Sequence, residues 1–89
     1  MPPEDRFIHI GCVNTRYWLA GSGSPVVLIH GLGGYIENWL PCLAALTSEH
    51  TVYALDMVGF GRTDKPCDAS YTIDGLAHFV ADFMDAMRL

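Results

Sequence analysis

The sequence VVLIHGLGG, residues 26–34, decides the fold of this chain. Its first four residues, Val26 to Ile29, are apolar without polar alternation, and such a run is typical of a strand covered on both faces, as in a parallel sheet. The run ends in the glycine-rich loop at residues 30–34. Glycines let the backbone of such a loop approach a ligand closely. The stretch therefore predicts an α/β fold with a candidate site where this strand ends.

Length and composition limit what the rest of the chain can be. With 89 residues, the chain has room for one small domain, which we expect to span 1–89. The 51% hydrophobic content argues against disorder. The net charge of −5, with no run of Lys or Arg, predicts that neither nucleic acid nor an anionic membrane surface is a partner.

The cellular location of the chain is predicted from the length of its apolar segments and from the charges in its first ten residues. No segment is apolar for long enough to span a bilayer. The first ten residues, MPPEDRFIHI, carry charges where a signal peptide has its apolar core. We therefore expect a soluble, cytoplasmic protein.

No metal and no other cofactor is expected. The cysteines are odd in number and form no CxxC pair, so they suggest neither a disulfide framework nor a zinc site. They are Cys12, Cys42 and Cys67. The histidines lack metal-ligand spacing. They are His9, His30, His50 and His78. Nucleotide binding is not expected, because the glycine pairs lack the third glycine of the dinucleotide fingerprint and no P-loop occurs.

The remaining elements follow from periodicity and turn residues. Two β-rich segments, Phe7–Val13 and Arg16–Ala20, predict an antiparallel hairpin with its turn signal at Asn14. A short helix is predicted over Pro41–Leu46, and a second buried strand over Thr51–Leu55.

The last segment predicts an amphipathic helix that begins after the N-cap Thr72. Its apolar face holds Ile73, Leu76, Ala77, Val80, Phe83, Met84 and Met87. Its polar face holds Asp74, His78, Asp82 and Asp85. The order β-β-β-α-β-α is an α/β pattern.

The glycine loop has two open interpretations from the residues alone. Free backbone N–H groups at the carboxyl end of a parallel strand can stabilise an oxyanion. A tight turn from strand to helix, with no chemistry, would have the same composition. The loop by itself favours neither.

Three motifs together resemble the amino-terminal part of the α/β-hydrolase fold superfamily. They are VVLIHGLGG at 26–34, NW at 38–39 and VYALDMVGFGRTDKP at 52–66. The resemblance covers nearly the whole chain and is to the branch of small esterases, carbon–carbon bond hydrolases, haloperoxidase-like enzymes and epoxide hydrolases. It implies a β-hairpin followed by strand-helix-strand-helix with parallel strands.

The resemblance also implies roles for the loop residues. Leu32 and Gly33 match the positions that contribute backbone N–H groups to the oxyanion hole. His30, Gly31 and Gly34 match residues that order the loop, and this role is favoured over a general base for His30.

A second turn matches the family as well. Asp56, Gly59 and Gly61 match the architectural Asp-x-x-Gly-x-Gly turn after the fourth strand, where Thr63 replaces the usual Ser. Arg62 and Asp64 flank this turn, either as a pair or as solvated side chains.

The nucleophile elbow G-x-S-x-G does not occur in the sequence. The resemblance therefore implies an incomplete domain, cut before the elbow, with nucleophile, acid and base outside it. It implies a fragment of a hydrolase that acts on an ester or related bond in a small apolar substrate. The loop favours a Ser-His-Asp mechanism over an Asp nucleophile, and the chain alone is expected to be inactive.

The alternative is a non-catalytic interaction module that reuses the half-fold. In either case the strand Val26–Ile29 is expected to lie at a sheet edge beside Thr51–Leu55. An open edge exposes unpaired N–H and C=O groups, so we expect self-association of the chain.

Overall fold

A computed structural model describes residues 3–31 and 33–89 of the chain. Four strands form one sheet in the order β1-β2-β4-β3. The strands are β1 (Glu4–Ile10), β2 (Val13–Gly21), β3 (Ser24–Ile29) and β4 (His50–Leu55). The helices are a 3-10 turn (Ile36–Trp39), α1 (Leu40–Thr47) and α2 (Ile73–Ala86). β1–β2 and β2–β4 are antiparallel and β3–β4 is parallel, which confirms the predicted α/β fold.

The hairpin of β1 and β2 turns at Gly11 and Cys12. The predicted turn at Asn14 is wrong, because Asn14 lies inside β2 and pairs with His9. A two-residue hairpin loop requires positive φ, and Gly11 supplies it at 61°. The first strand accordingly ends at Ile10 rather than at the predicted Val13, which instead begins β2.

The sheet is covered on both faces, and each face has its own core. One core lies between the sheet and α1 and contains Trp18, Ile36, Leu43, Val52 and Ala54. The other lies against α2 and contains Ile10, Tyr17, Leu55, Met57, Val58, Phe79 and Phe83. Because side chains alternate across a strand, neighbouring residues of one strand enter opposite cores. This explains why the two apolar runs in the sequence lack polar alternation.

The helix α2 begins as predicted, since the Thr72 hydroxyl accepts a hydrogen bond from the Gly75 N–H at 3.1 Å. The polar face is exposed as predicted. Phe79 is buried although the prediction left it out of the apolar face, and three residues that the prediction placed on this face are exposed: Ile73, Ala77 and Met84. Ile73, which is 85% exposed, occupies the first position of the helix and lines an open cleft with Ile29.

The segment from β3 to β4 agrees with the prediction and adds one element. The predicted helix over Pro41–Leu46 is present within α1, and the 3-10 turn Ile36–Trp39 precedes it. β3 lies at the edge of the four-stranded sheet beside β4, as expected. Neither helix of the described chain has the length and apolarity to cross a bilayer.

Candidate functional site

The glycine-rich loop follows β3 at the carboxyl end of the parallel pair β3–β4. Gly34 donates its N–H to the Gly31 carbonyl at 2.9 Å and closes a turn. Gly33 is exposed and has φ of 78°, a backbone conformation that favours glycine. Leu32, predicted as an oxyanion donor, lies outside the described residues.

His30 is buried and bonds to the backbone on both sides of its ring. The Met57 N–H donates to Nε2 at 3.0 Å, and Nδ1 lies 2.8 Å from the Gly31 carbonyl oxygen. A backbone N–H only donates and a carbonyl only accepts, so these partners assign the proton to Nδ1. The Nε2 lone pair is already engaged and is not free to take a proton from a nucleophile. These are the contacts that a loop-ordering residue requires, and that role remains a prediction.

Asp56 is fully buried and anchors the far end of the same loop. Its Oδ1 accepts the Ile36 N–H at 2.7 Å, and its Oδ2 accepts the Arg62 N–H at 2.9 Å. A buried carboxylate needs such donors because desolvation is costly. The loop between His30 and Ile36 is therefore fixed at both ends to the segment that follows β4.

The two glycines of the second turn fit tightly. Gly59 and Gly61 have φ of 88° and 55°. A side chain at Gly61 would overlap the Asp56 carboxylate, and one at Gly59 would overlap the ring of Tyr71. Glycine is thus required here by both conformation and space.

Thr63, which stands where the family usually has Ser, is buried and uses its hydroxyl twice. Its Oγ1 donates to the Asp56 carbonyl at 2.7 Å and accepts the Arg16 N–H at 2.9 Å. Threonine and serine both supply this hydroxyl. The neighbouring Asp64 accepts the Asn14 N–H at 2.9 Å, so its carboxylate bonds to the hairpin.

Arg16 is the central charged residue of the site, and sequence reasoning missed it. Its side chain is 4% exposed and contacts Asp5, Glu37 and Asp56. Its hydrogen bonds to Asp5 lower the pKa of that carboxyl, and the same bonds raise the pKa of Arg16. The signal available in the sequence was that Arg16 is the one charged residue of the β2 segment VNTRYWLAG, because a charge needs partners when it is buried.

An apolar cleft of about 260 Å³ borders the loop. It lies between the carboxyl end of β3 and α2, and its lining includes Ile29, His30, Met57, Phe60, Leu76 and Val80. The described part of the chain contains no cluster of side chains suited to a metal ion. The hydrogen-bonded pair Ser24–His50 lies at the opposite end of β3 and β4, away from the loop.

Comparisons with known proteins show the family of this chain. The family model described as alpha/beta hydrolase fold matches residues 24–89. The chain is 45% identical over 87 residues to a 2-hydroxy-6-oxo-6-(2'-aminophenyl)hexa-2,4-dienoic acid hydrolase of Metapseudomonas resinovorans, covering 94% of this chain and 30% of that protein. It is 34% identical to a 2-hydroxy-6-oxo-2,4-heptadienoate hydrolase of Pseudomonas putida, covering 94% and 32%.

A solved structure gives the same result in three dimensions. The crystal structure of a serine hydrolase involved in carbazole degradation superposes with a TM-score of 0.88 at 43% identity, covering 99% of this chain and 35% of that one. The chain thus spans about a third of the length of the relatives that it matches.

Proposed function

Because this chain belongs to the alpha/beta hydrolase fold family, we propose that it carries the first oxyanion-hole loop of a hydrolase. The donors in this proposal are the backbone N–H groups of Leu32 and Gly33. The observation that carries it is the double anchoring of the loop, through His30 to Met57 and through Ile36 to Asp56. Donors held in place before the reaction stabilise developing negative charge without reorganisation.

We propose that the reaction is hydrolysis of an ester or a carbon–carbon bond in a small, largely apolar substrate. Two relatives are hydrolases of 2-hydroxy-6-oxo-dienoic acids, which supports an oxo acid of that class as the substrate. The similarity to a serine hydrolase supports a Ser-His-Asp mechanism. Cytoplasmic location remains part of the proposal.

The rest of the catalytic machinery is proposed to come from another segment of polypeptide. The sequence contains no G-x-S-x-G, and a triad acts as a unit. The 89-residue chain is therefore expected to leave a p-nitrophenyl ester unhydrolysed. The alternative, a non-catalytic interaction module, is not supported, because the two relatives named above are hydrolases.

A chimera tests the proposal directly. Residues 1–89 replace the aligned amino-terminal segment of the Metapseudomonas resinovorans hydrolase, and hydrolysis of that enzyme's own substrate is measured. We expect turnover, because the anchored loop would complete the oxyanion hole. A folded chimera without turnover would contradict the proposed function.

The donor assignment is tested in the same chimera with a matched pair of variants. Leu32→Pro removes the backbone N–H, whereas Leu32→Ala keeps it. Loss of one oxyanion donor costs about 10²–10³ in kcat, so Leu32→Pro is expected to lose that much relative to Leu32→Ala. Equal kcat for the two variants would overturn the assignment of Leu32.

A further inference from the structure

We propose that Arg16 is a positioning residue that holds the oxyanion-hole loop in place through Glu37 and Asp56. The proposal deepens the proposed function, since its catalytic consequence rests on the loop's role there. The contacts that hold the loop in place do not depend on that role. Arg16 lies in β2, and it is connected through side chains to residues far along the sequence.

The guanidinium of Arg16 binds carboxylates on two sides. On one side, Nε and Nη2 donate to the two oxygens of Asp5, each at 2.9 Å. On the other side, Nη1 donates to the Glu37 carboxylate at 2.9 and 3.1 Å and lies 3.4 Å from Asp56 Oδ2. The planar fork of arginine makes such two-sided contact possible, and lysine cannot reproduce it.

The second side of the fork faces the end of the loop. Glu37 directly follows Ile36, whose N–H bonds to Asp56 Oδ1. Arg16 therefore contacts two carboxylates: that of Glu37, the residue after Ile36, and that of Asp56, which accepts the Ile36 N–H. The buried charge of Asp56 also requires a cation nearby. Arg16 supplies it while Asp5 keeps the rest of the guanidinium paired.

Asp5 and Glu37 provide a matched comparison. Both carboxylates bind Arg16, and their side chains are 41% and 34% exposed. Asp5 lies on β1, away from the loop, whereas Glu37 lies in the 3-10 turn after it. Asp5→Asn and Glu37→Gln each remove one negative charge and keep the side-chain shape. A general stabilising role predicts similar effects for both variants, and a positioning role predicts a difference.

Hydrogen exchange of the 89-residue chain measures this difference. We expect Glu37→Gln to raise the exchange rate of the Ile36 amide about two- to fivefold relative to the β4 amides, the scale of a part-exposed ion pair. Asp5→Asn is expected to change that ratio less than Glu37→Gln does, because Asp5 contacts Arg16 on the side away from the loop. Arg16→Lys is the second variant, with a larger rise at Ile36. An unchanged ratio in Glu37→Gln, an equal rise at Ile36 and in β4, or the same ratio in both carboxylate variants would overturn the proposal.

Kinetics in the chimera measure the catalytic consequence. A displaced oxyanion donor weakens the transition state more than the bound substrate, so Glu37→Gln is expected to lower kcat several-fold with KM nearly unchanged. Asp5→Asn, which loosens Arg16 on the side away from the loop, is expected to lower kcat less than Glu37→Gln does. An inactive parent chimera contradicts the proposed function, whereas an active chimera in which Glu37→Gln keeps its kcat contradicts the catalytic role of Arg16.

Discussion

Asp56 connects three parts of the chain through one carboxyl group and one carbonyl. Its side chain accepts from Ile36 and Arg62, and its carbonyl accepts from Thr63. A buried carboxylate with this many donors cannot move without breaking several hydrogen bonds, each of which is costly to leave unmade. The space around it is therefore fixed, and Gly61 borders that space.

Gly61→Ala is expected to destabilise the chain strongly. The alanine would have to adopt a positive φ, and its methyl group would overlap the Asp56 carboxylate. Gly11→Ala is the matched control, because Gly11 has φ of 61° but open space around it. The control is expected to cost about 1 kcal/mol from conformation alone, and Gly61→Ala at least about 1 kcal/mol more, in urea unfolding. Equal losses in the free energy of unfolding for both variants would contradict the prediction that the overlap with Asp56 is costly.

The lowered pKa of Asp5 predicts that the stability of the fold decreases at acidic pH. This pKa is lowered from 3.8 mainly by hydrogen bonds from Arg16. The unfolded chain binds a proton on this group more readily, so the stabilisation is present above 3.8 and is lost as the pH falls through the lowered pKa. Asp5→Asn is expected to cost about 0.2–1 kcal/mol at neutral pH and nothing at strongly acidic pH. A difference that persists in acid would contradict this origin.

The residues of the site were predictable to different degrees. His30, Asp56 and the glycines stand in short motifs, where spacing along the chain marks them. Arg16 meets its partners only in three dimensions, since Glu37 and Asp56 are 21 and 40 positions away. No local pattern records such contacts, which is why the sequence analysis missed this residue.

At the scale of elements, α2 is attached to the sheet by its apolar face. Phe83 is fully buried, and its ring meets Tyr17 of β2 edge-on at 5.5 Å between centroids. Met84, the next residue, is 37% exposed. The 3.6-residue period places these neighbours on different sides of the helix.

Phe83→Ala is therefore expected to destabilise the chain by about 3–5 kcal/mol through a cavity and lost burial. Met84→Ala, the control, is expected to change the free energy of unfolding by less than about 1 kcal/mol. Urea unfolding monitored by circular dichroism measures both. Similar values for the two variants would mean that α2 packs on the sheet by another face.

Elements with strong periodicity were predicted well, and irregular ones were not. The buried strands and α2 follow from apolar patterns that packing enforces. The 3-10 turn was not predicted, because the Ile36–Asp56 bond at its start joins residues that are 20 positions apart in the sequence. The hairpin turn moved from Asn14 to Gly11 because both residues favour turns and strand pairing decided between them.

At the scale of the whole molecule, β3 presents an edge without charged side chains. Edge strands are usually protected by charge, and here only Pro25 has that effect. We expect the 89-residue chain to associate with itself through β3. Sedimentation velocity should show an average mass that rises with concentration.

A charge on each edge tests this location. Ile29 on β3 is 44% exposed, and Phe7 on β1, at the opposite edge, is 50% exposed. Ile29→Lys is expected to reduce association, and Phe7→Lys to leave it unchanged. A monomer at all concentrations that melts cooperatively would contradict the expectation.

The sheet order has a consequence for synthesis of the chain. Among the four strands of this sheet β4 is made last, yet it pairs with both β2 and β3. A ribosome delivers the hairpin and β3 first, and in this sheet those two pieces share no strand pairing. The edges of β2 and β3 that pair with β4 stay unpaired until residues 50–55 have been synthesised. Long-range pairing of this kind forms slowly. In the interval between the synthesis of β3 and that of β4, these two pieces are thus exposed to pairing with wrong partners.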